Sequence, residues 1–238
     1  MCIRDRSTQS VTFGSDTTVV QLLDQDRSGL TVKLVVGQID FIPVSTAEGD
    51  FVLPRIDGFT RSFEIGEPTL PVSNNLLSIP FGCELRAEVV SYEAEEVSLT
   101  DLQIVDPLMP VQPPLSKSVD PASVPFEYKR TVYETPGYYS LPLVRTQVLG
   151  TMREVRLGEL TIAPIAYSPT EGKLRVHTSI TVHVTYEHAD WAETERMQQR
   201  YFSPYFVPTR SSLLNYELPA SSIRDDPVSY THLRAHET

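Results

Sequence analysis

The sequence predicts an all-β fold: an antiparallel β-sandwich with a long proline-rich loop and one short C-terminal helix. The main observation is a period of two in the apolar residues, which is typical of half-buried strands. It is clearest in GKLRVHTSITVHVTY, residues 172–186, where apolar side chains alternate with Lys, Arg, His and Ser. Turn residues separate successive strand patterns and no helical pattern alternates with them, which favours antiparallel sheets over βαβ units.

Other stretches support the same prediction. The step SPTEGK before the clearest strand contains the proline and glycine of a hairpin connection. One helix is predicted in HADWAETERMQQRYF, because Asp190 can cap it and Glu193 follows at capping-box spacing. The remaining predicted strands are LTVKLVV (30–36), ELRAEVVSYE (84–93), EEVSLTDLQIV (95–105) and REVRLGELTIAPIAY (153–167).

Prolines recur throughout DPLMPVQPPLSKSVDPASVP, residues 106–125. A proline cannot donate a hydrogen bond to a neighbouring strand, so this stretch is not predicted to be an interior strand. It is predicted to be extended, close to polyproline II, and to leave the sheet as a long stiff loop. The alternative interpretation is a linker between two small domains, because structureless loops of this length are uncommon in a compact domain.

Both ends are expected to be translated sequencing adapter. MCIRDR (1–6) and VSYTHLRAHET (228–238) can each be back-translated into a transposase adapter read in frame, so both are excluded from the fold prediction. Their removal takes away three basic and two acidic residues, which changes the formal net charge from −11 to −12 and leaves Cys83 as the only cysteine. We therefore expect a fragment that lacks its signal peptide and its downstream domains.

Composition excludes several classes of protein. The negative charge repels phosphate backbones, so nucleic acid is not an expected partner. No run approaches the ~18 apolar residues of a membrane span. A single cysteine cannot form an internal disulfide, so the fold must depend on its hydrophobic core.

The residues themselves indicate no active site. Nothing beside Cys83 would favour its thiolate, so a buried structural role is predicted. His177 and His183 project from one face of a strand about 20 Å apart at ~3.3 Å per residue, too far to share a metal ion. The sequence also lacks GxSxG, HExxH, CxxC and phosphate-binding glycine motifs. No cofactor or metal is predicted.

Four stretches, in the same order, resemble the N-terminal propeptide of the gingipain-type cysteine proteases, peptidase family C25. The resemblance implies a propeptide domain over residues 7–226, with its core at about 37–217. The four stretches are GEPTLPV (66–72), LSKSVDPASVPFEY (115–128), REVRLGELTIAPIAYSPTEGKLRVHTSITVHVTY (153–186) and LLNYE (213–217).

The resemblance also implies a function. It implies a non-catalytic prodomain that assists the folding of a following cysteine endopeptidase and keeps that enzyme latent. The expected partner is this catalytic domain, C-terminal in the same precursor, which carries the family's catalytic histidine and cysteine; no position here matches them. The family further implies secretion to the cell surface or medium of a Gram-negative bacterium.

In the family, latency depends on a basic side chain from a prodomain loop, which occupies the S1 pocket of the protease. Lys117, flanked by Ser116 and Ser118, falls in the corresponding loop and is the predicted inhibitory residue. It is one of four lysines in the chain, and the prolines around it reduce the entropy lost on docking. A lysine here suggests a lysine-preferring protease, because Lys and Arg are not equivalent in a shaped pocket. The alternative is a solubilising loop charge.

Release of the protease requires cleavage of the chain. Arg224 in SSIRDD follows the last matching stretch and is one predicted maturation site; Arg210 in VPTRSS is the competing one. Both predictions assume an exposed arginine in a tail.

Two other functions stay open from the sequence. The first is a secreted β-sandwich binding module for glycan or protein, with Tyr138 or Tyr139 in PGYYSLP as the aromatic platform. Adjacent tyrosines on a strand face opposite ways, so only one of them can serve a given surface. The second is that cysteine-type endopeptidase activity describes the parent protein and this fragment is only one of its parts.

Overall fold

The structure, a computed structural model, describes residues 7–120, 123–206 and 210–216. Within these ranges it contains strands, two α-helices and a 3₁₀ turn at Pro204–Phe206. The helices are α1 (Arg130–Glu134) and α2 (Trp191–Tyr201). The strands are β1 (Gln9–Thr12), β2 (Val19–Gln25), β3 (Gly29–Val35), β4 (Gln38–Thr46), β5 (Gly49–Arg55), β6 (Thr60–Arg61), β7 (Pro71–Ile79), β8 (Glu84–Ser98), β9 (Tyr139–Ser140), β10 (Val144–Met152), β11 (Val155–Ile162), β12 (Ile165–Ser168) and β13 (Lys173–Glu187).

The strands form three antiparallel sheets. The first has the order β1-β4-β5 and the second β10-β11-β7-β6. The third has the order β2-β3-β13-β12-β9, and β8 pairs with β13 along the whole length of that strand. This arrangement confirms the predicted all-β antiparallel fold.

The core lies on one face of β13. Alternate residues from Leu174 to Tyr186 are buried there, as the period of two predicted. They belong to one hydrophobic cluster with side chains of β3, β4, β7 and β11. That cluster also contains Leu108, inside the proline-rich segment, and Tyr133, beyond it. The segment therefore connects two parts of one core, and the interpretation as a linker between domains is wrong.

Some predicted strands have different bounds in the structure. The two strands predicted at 84–93 and 95–105 are one continuous strand, β8, which ends at Ser98 before a turn. The strand predicted at 153–167 is two strands, because the chain changes sheets at Ala163 and Pro164. The hairpin at SPTEGK is confirmed, and Gly172 provides its positive φ of 61°.

The C-terminal helix begins as predicted. The Asp190 side chain accepts a hydrogen bond from the Glu193 N–H at 2.8 Å, which satisfies a donor that the first turn of a helix leaves without a partner. The short helix α1 was not predicted; its five residues carry no capping side chain. Among the described helices, none has the length and apolarity that crossing a membrane would require.

Candidate functional site

The predicted inhibitory residue lies in a loop that leaves the body of the protein and returns to it. We call residues 108–129 the Lys117 loop; its described parts are a first leg at 108–112, a tip at 113–120 and 123–125, and a second leg at 126–129. The first leg forms backbone hydrogen bonds with β5 on one side and with Thr69 on the other. Met109 N–H donates to the Val52 carbonyl at 2.8 Å, and the Met109 carbonyl accepts from Thr69 N–H at 2.9 Å. The leg is therefore bridged to β5 and to residues 67–69, although it is not a strand of the three sheets.

The positions of the prolines explain how this leg can pair. Met109 and Val111 supply the N–H donors, and Pro110 lies between them, where no donor is used. Leu108 is buried; its N–H donates to the Tyr167 hydroxyl at 3.4 Å and its carbonyl accepts from the Tyr133 hydroxyl at 2.7 Å. The first leg is extended, as predicted, and the chain leaves the body only after residue 112.

Aromatic side chains hold the second leg against the body. Phe126 packs on Phe51 with ring centroids 5.4 Å apart, and Tyr128 stacks on Tyr133 at 4.3 Å. The two legs are also joined to each other. Gln112 Nε2 donates to the Glu127 carbonyl at 2.8 Å, and Glu127 N–H donates back to Gln112 Oε1 at 3.0 Å. The side chain of Gln112 thus takes the place of a backbone partner. We call this junction of the two legs, at Gln112 and Glu127, the neck of the loop.

At the tip, Lys117 occupies the second position of a tight turn. Val119 N–H donates to the Ser116 carbonyl at 3.0 Å, and the hydroxyls of Ser116 and Ser118 lie 3.2 Å apart. Residues 114–120 are all exposed. Among the residues that the structure describes, Lys129 and Lys173 have salt-bridge partners and Lys117 has none. The ammonium is therefore exposed to solvent in the turn at the tip of an anchored loop.

Glu67 lies against both legs of the loop. Its carboxylate accepts hydrogen bonds from Lys129 Nζ at 2.9 Å and from the Tyr139 hydroxyl at 2.5 Å. Burial raises the pKa of this carboxyl, but the hydrogen bonds from Tyr139 and Lys129 and the charge of Lys129 outweigh it, so the pKa lies below its ordinary value. The ionised form of Glu67 is thus favoured by the fold.

This shift predicts a pH-dependent contribution to stability. A depressed pKa in the folded state stabilises the fold above the ordinary value of 4.5, and the contribution is lost as the pH falls through the lower folded pKa. We expect Glu67→Gln to be less stable than the wild type at about pH 7 and the difference to shrink at about pH 3. Urea unfolding of both proteins at the two pH values measures it; a difference that does not change with pH would contradict the assignment.

Exposed apolar side chains surround the neck of the loop. Phe63 is 78% exposed, Ile65 42% and Leu115 47%. A shallow groove beside the first leg is lined by Phe63, Ile65, Met109, Val111 and Pro114. Apolar surface of this kind next to a protruding charge is typical of a surface that contacts another protein.

The sequence of this chain matches a known protein family. The Propeptide_C25 family model matches residues 9–223. The chain belongs to the C25 propeptide family. Among relatives of this propeptide, Lys-gingipain HG66 of Porphyromonas gingivalis is 34% identical over 181 residues, which cover 76% of this chain and 10% of the relative. Gingipain R1 of the same organism is 24% identical over 199 residues, covering 83% of this chain and 19% of the relative. The chain thus spans about a tenth of the Lys-gingipain sequence.

Two solved structures share the fold of this C25 propeptide. One, from work on the zymogenic latency of gingipain K from Porphyromonas gingivalis, matches with a TM-score of 0.72 and 29% identity, and covers 77% of this chain and 100% of that one. The other is a complex of Porphyromonas gingivalis RgpB pro- and mature domains, with a TM-score of 0.65 and 22% identity, covering 83% and 98% of the two chains. The β-sandwich prodomain fold that the sequence resemblance implied is confirmed.

Of the two predicted cleavage sites, the structure describes Arg210 but not Arg224. Arg210 of the propeptide is only 1% exposed; it forms an ion pair with the buried Glu154, donates to the Ser203 carbonyl at 3.1 Å and lies over the Phe202 ring. The expectation of an exposed Arg210 is therefore wrong, because its guanidinium is a structural element of the folded domain. Arg224 lies outside the described residues.

The other candidate residues of the propeptide have structural roles. Cys83 is fully buried, and burial raises the pKa of its thiol, as expected of an inert side chain. His177 Nδ1 donates to the Pro164 carbonyl at 3.0 Å, and His183 lies 3.1 Å from the Thr31 hydroxyl. In the described part of the chain, no three His, Cys, Asp or Glu side chains are close enough to hold a metal ion.

The two tyrosines of the predicted aromatic platform do face opposite ways. Tyr139 is turned inward to Glu67, where burial and the carboxylate raise the pKa of its hydroxyl. Tyr138 lies at the surface, but Arg175 covers its ring at 4.1 Å and its hydroxyl donates to Glu96 at 2.9 Å. Both rings are thus engaged within the propeptide, which does not favour the binding-module interpretation.

Sequence reasoning did not identify the residues that hold the loop. Glu67 lies in GEPTLPV, which was recognised as a matching stretch and had no assigned role. Gln112 gave no signal, because a lone glutamine in a proline-rich loop looks like an ordinary surface residue. Both residues act through contacts distant in sequence, 62 residues for Glu67 with Lys129 and 15 for Gln112 with Glu127.

Proposed function

We propose that this chain is a non-catalytic prodomain that keeps a following gingipain-like cysteine endopeptidase latent by placing Lys117 in the S1 pocket of that enzyme. The observation that supports the proposal most is the exposed lysine without a salt-bridge partner in the described residues, at the tip of a loop whose two legs are bonded to the body. Such a loop loses little conformational entropy on docking.

The chemistry of the tip fits a pocket that recognises a basic residue. In the pocket the ammonium pairs with an acidic group at the base and is largely desolvated, which makes the contact a strong one. The exposed apolar side chains at the neck, Phe63, Ile65 and Leu115, provide surface that excludes water around that contact. Because Lys and Arg differ in shape, a lysine at the tip favours a lysine-preferring protease.

The partner in this proposal is the catalytic domain of the same precursor, acting in cis, and the prodomain also assists the folding of that domain. The named relatives are gingipains of which the chain spans only a small part, so the protease belongs to the remainder of such a precursor. We also propose that the precursor is secreted or displayed at the surface of a Gram-negative bacterium. Cleavage at Arg224 is the proposed maturation step, because Arg210 is buried.

Inhibition in trans tests the proposal. The chain is added to Lys-gingipain and to Gingipain R1, and hydrolysis of a lysine and an arginine substrate is followed. We expect the chain to inhibit Lys-gingipain and to inhibit Gingipain R1 more weakly. If a chain that is folded by circular dichroism inhibits neither enzyme, the proposed function is wrong.

A further inference from the structure

The two legs of the Lys117 loop converge on two consecutive residues outside it, Gly66 and Glu67. The Glu67 carbonyl accepts from Val111 N–H of the first leg at 2.8 Å, while its carboxylate accepts from Lys129 Nζ of the second leg at 2.9 Å. A third hydrogen bond, from the Tyr139 hydroxyl, comes from β9 in the body of the protein. One residue thus contacts both legs and the sheet.

Gly66 makes the same connection through its backbone. Its N–H donates to the Val111 carbonyl at 2.8 Å, and its carbonyl accepts from Lys129 N–H at 2.9 Å. The φ of Gly66 is +80°, which strongly favours glycine. A Cβ at this position would lie 3.0 Å from Lys129 Cγ, so the close approach of the second leg also favours a glycine.

We propose that Gly66 and Glu67 form a clasp that fixes the spacing of the two legs and thereby the position of Lys117 in the inhibited complex. Glu67 is the positioning residue: it does not contact the protease, and it acts through the loop. The inference rests on the proposed function for its effect on inhibition, whereas the ordering of the legs by the clasp does not depend on that function.

The surroundings of Glu67 are suited to this role. Its side chain is 19% exposed, so its carboxylate is better shielded from solvent than that of Glu171, 53% exposed, in the other described lysine salt bridge. The charged or titratable groups that act on its carboxylate are Tyr139 and Lys129, and Glu64 acts on Tyr139. Loss of the carboxylate leaves the Lys129 ammonium and the Tyr139 hydroxyl without their acceptor, which loosens the second leg at Lys129 while its aromatic contacts remain.

The first experiment measures the order of the legs directly. Amide hydrogen exchange is followed at Val111 and Lys129 in the wild type, Glu67→Ala and Glu67→Gln. Glu96→Gln is the matched control, because Glu96 also accepts from a tyrosine and an arginine, Tyr138 and Arg175, at a site outside the loop. We expect exchange at both amides to rise about tenfold or more in Glu67→Ala, less in Glu67→Gln, and not in the control. Unchanged exchange in a folded Glu67→Ala or Glu67→Gln variant overturns the clasp.

The second experiment asks whether the clasp acts through Lys117. The Ki for Lys-gingipain is measured for Glu67→Gln with Lys117 present and with Lys117→Ala. We expect Glu67→Gln to raise the Ki about tenfold when Lys117 is present and to have little further effect when it is absent, as coupled residues do. An equal effect in both backgrounds overturns the positioning role. If Lys117→Ala itself leaves the Ki unchanged, the proposed S1 contact fails, and the exchange measurement alone decides the clasp.

Discussion

Replacement of Lys117 with alanine is expected to raise the Ki for Lys-gingipain by about 30- to 700-fold. This range corresponds to the loss of about 2–4 kcal/mol, which is typical of a charged residue at the centre of an interface. The physical reason is that in the proposed complex the ammonium enters a desolvated acidic pocket, whereas alanine would leave the acidic group there without a partner. Residual binding is expected from the apolar surface around the neck, so inhibition weakens without disappearing.

Two further variants make this prediction specific. Lys173→Ala removes an exposed lysine that pairs with Glu171, at the start of β13, and is expected to leave the Ki unchanged. Lys117→Arg keeps the charge but changes its shape and is expected to move the preference from Lys-gingipain towards Gingipain R1. An equal Ki for the wild type and Lys117→Ala would show that the loop tip does not enter the pocket.

Replacement of Arg210 with alanine is expected to have the largest effect on stability. Arg210 and Glu154 are 1% and 0% exposed in their side chains, so removal of one partner leaves a buried charge without compensation. The expected cost is about 3–5 kcal/mol in the free energy of unfolding. Urea unfolding at neutral pH measures it, and the transition midpoint is expected to move while the slope stays the same.

Two control variants test whether the loss of stability comes from a buried charge that lacks its partner. Arg196→Ala removes the arginine of an exposed pair with Glu193 on α2 and is expected to cost less than about 1 kcal/mol. The double variant Glu154→Leu with Arg210→Met removes both charges and is expected to recover most of the lost stability, because two well-packed apolar residues need no partner. A cost for Arg210→Ala no greater than that of Arg196→Ala would contradict the structural role.

Much of the fold could be predicted because its central strand carries an unambiguous pattern. Residues 172–186 alternate without interruption, and β13 is the strand on which β3, β8 and β12 pair. The N-cap at Asp190 is a local signal and was equally reliable. The break at Pro164 was missed, because the same apolar alternation continues into a different sheet and only long-range pairing reveals the change.

The candidate site was predicted in part. Lys117 was identified from the family resemblance and from its isolation among prolines, and the structure places it at the tip of an exposed turn. The contacts that hold the loop join residues far apart in the sequence, so the local pattern could not indicate them. Arg210 was misjudged for a related reason: a sequence does not show that a tail returns to the body and buries its arginine against Glu154.

Competition between the prodomain and substrate tests the central claim most directly. The rate at which Lys-gingipain hydrolyses a lysine substrate is measured at several concentrations of the wild-type chain and of the substrate. If Lys117 occupies the S1 pocket, the apparent Ki rises linearly with the substrate concentration and the limiting rate at saturating substrate is unchanged. Inhibition that lowers the limiting rate and leaves KM unchanged would place the prodomain elsewhere on the enzyme and contradict the account.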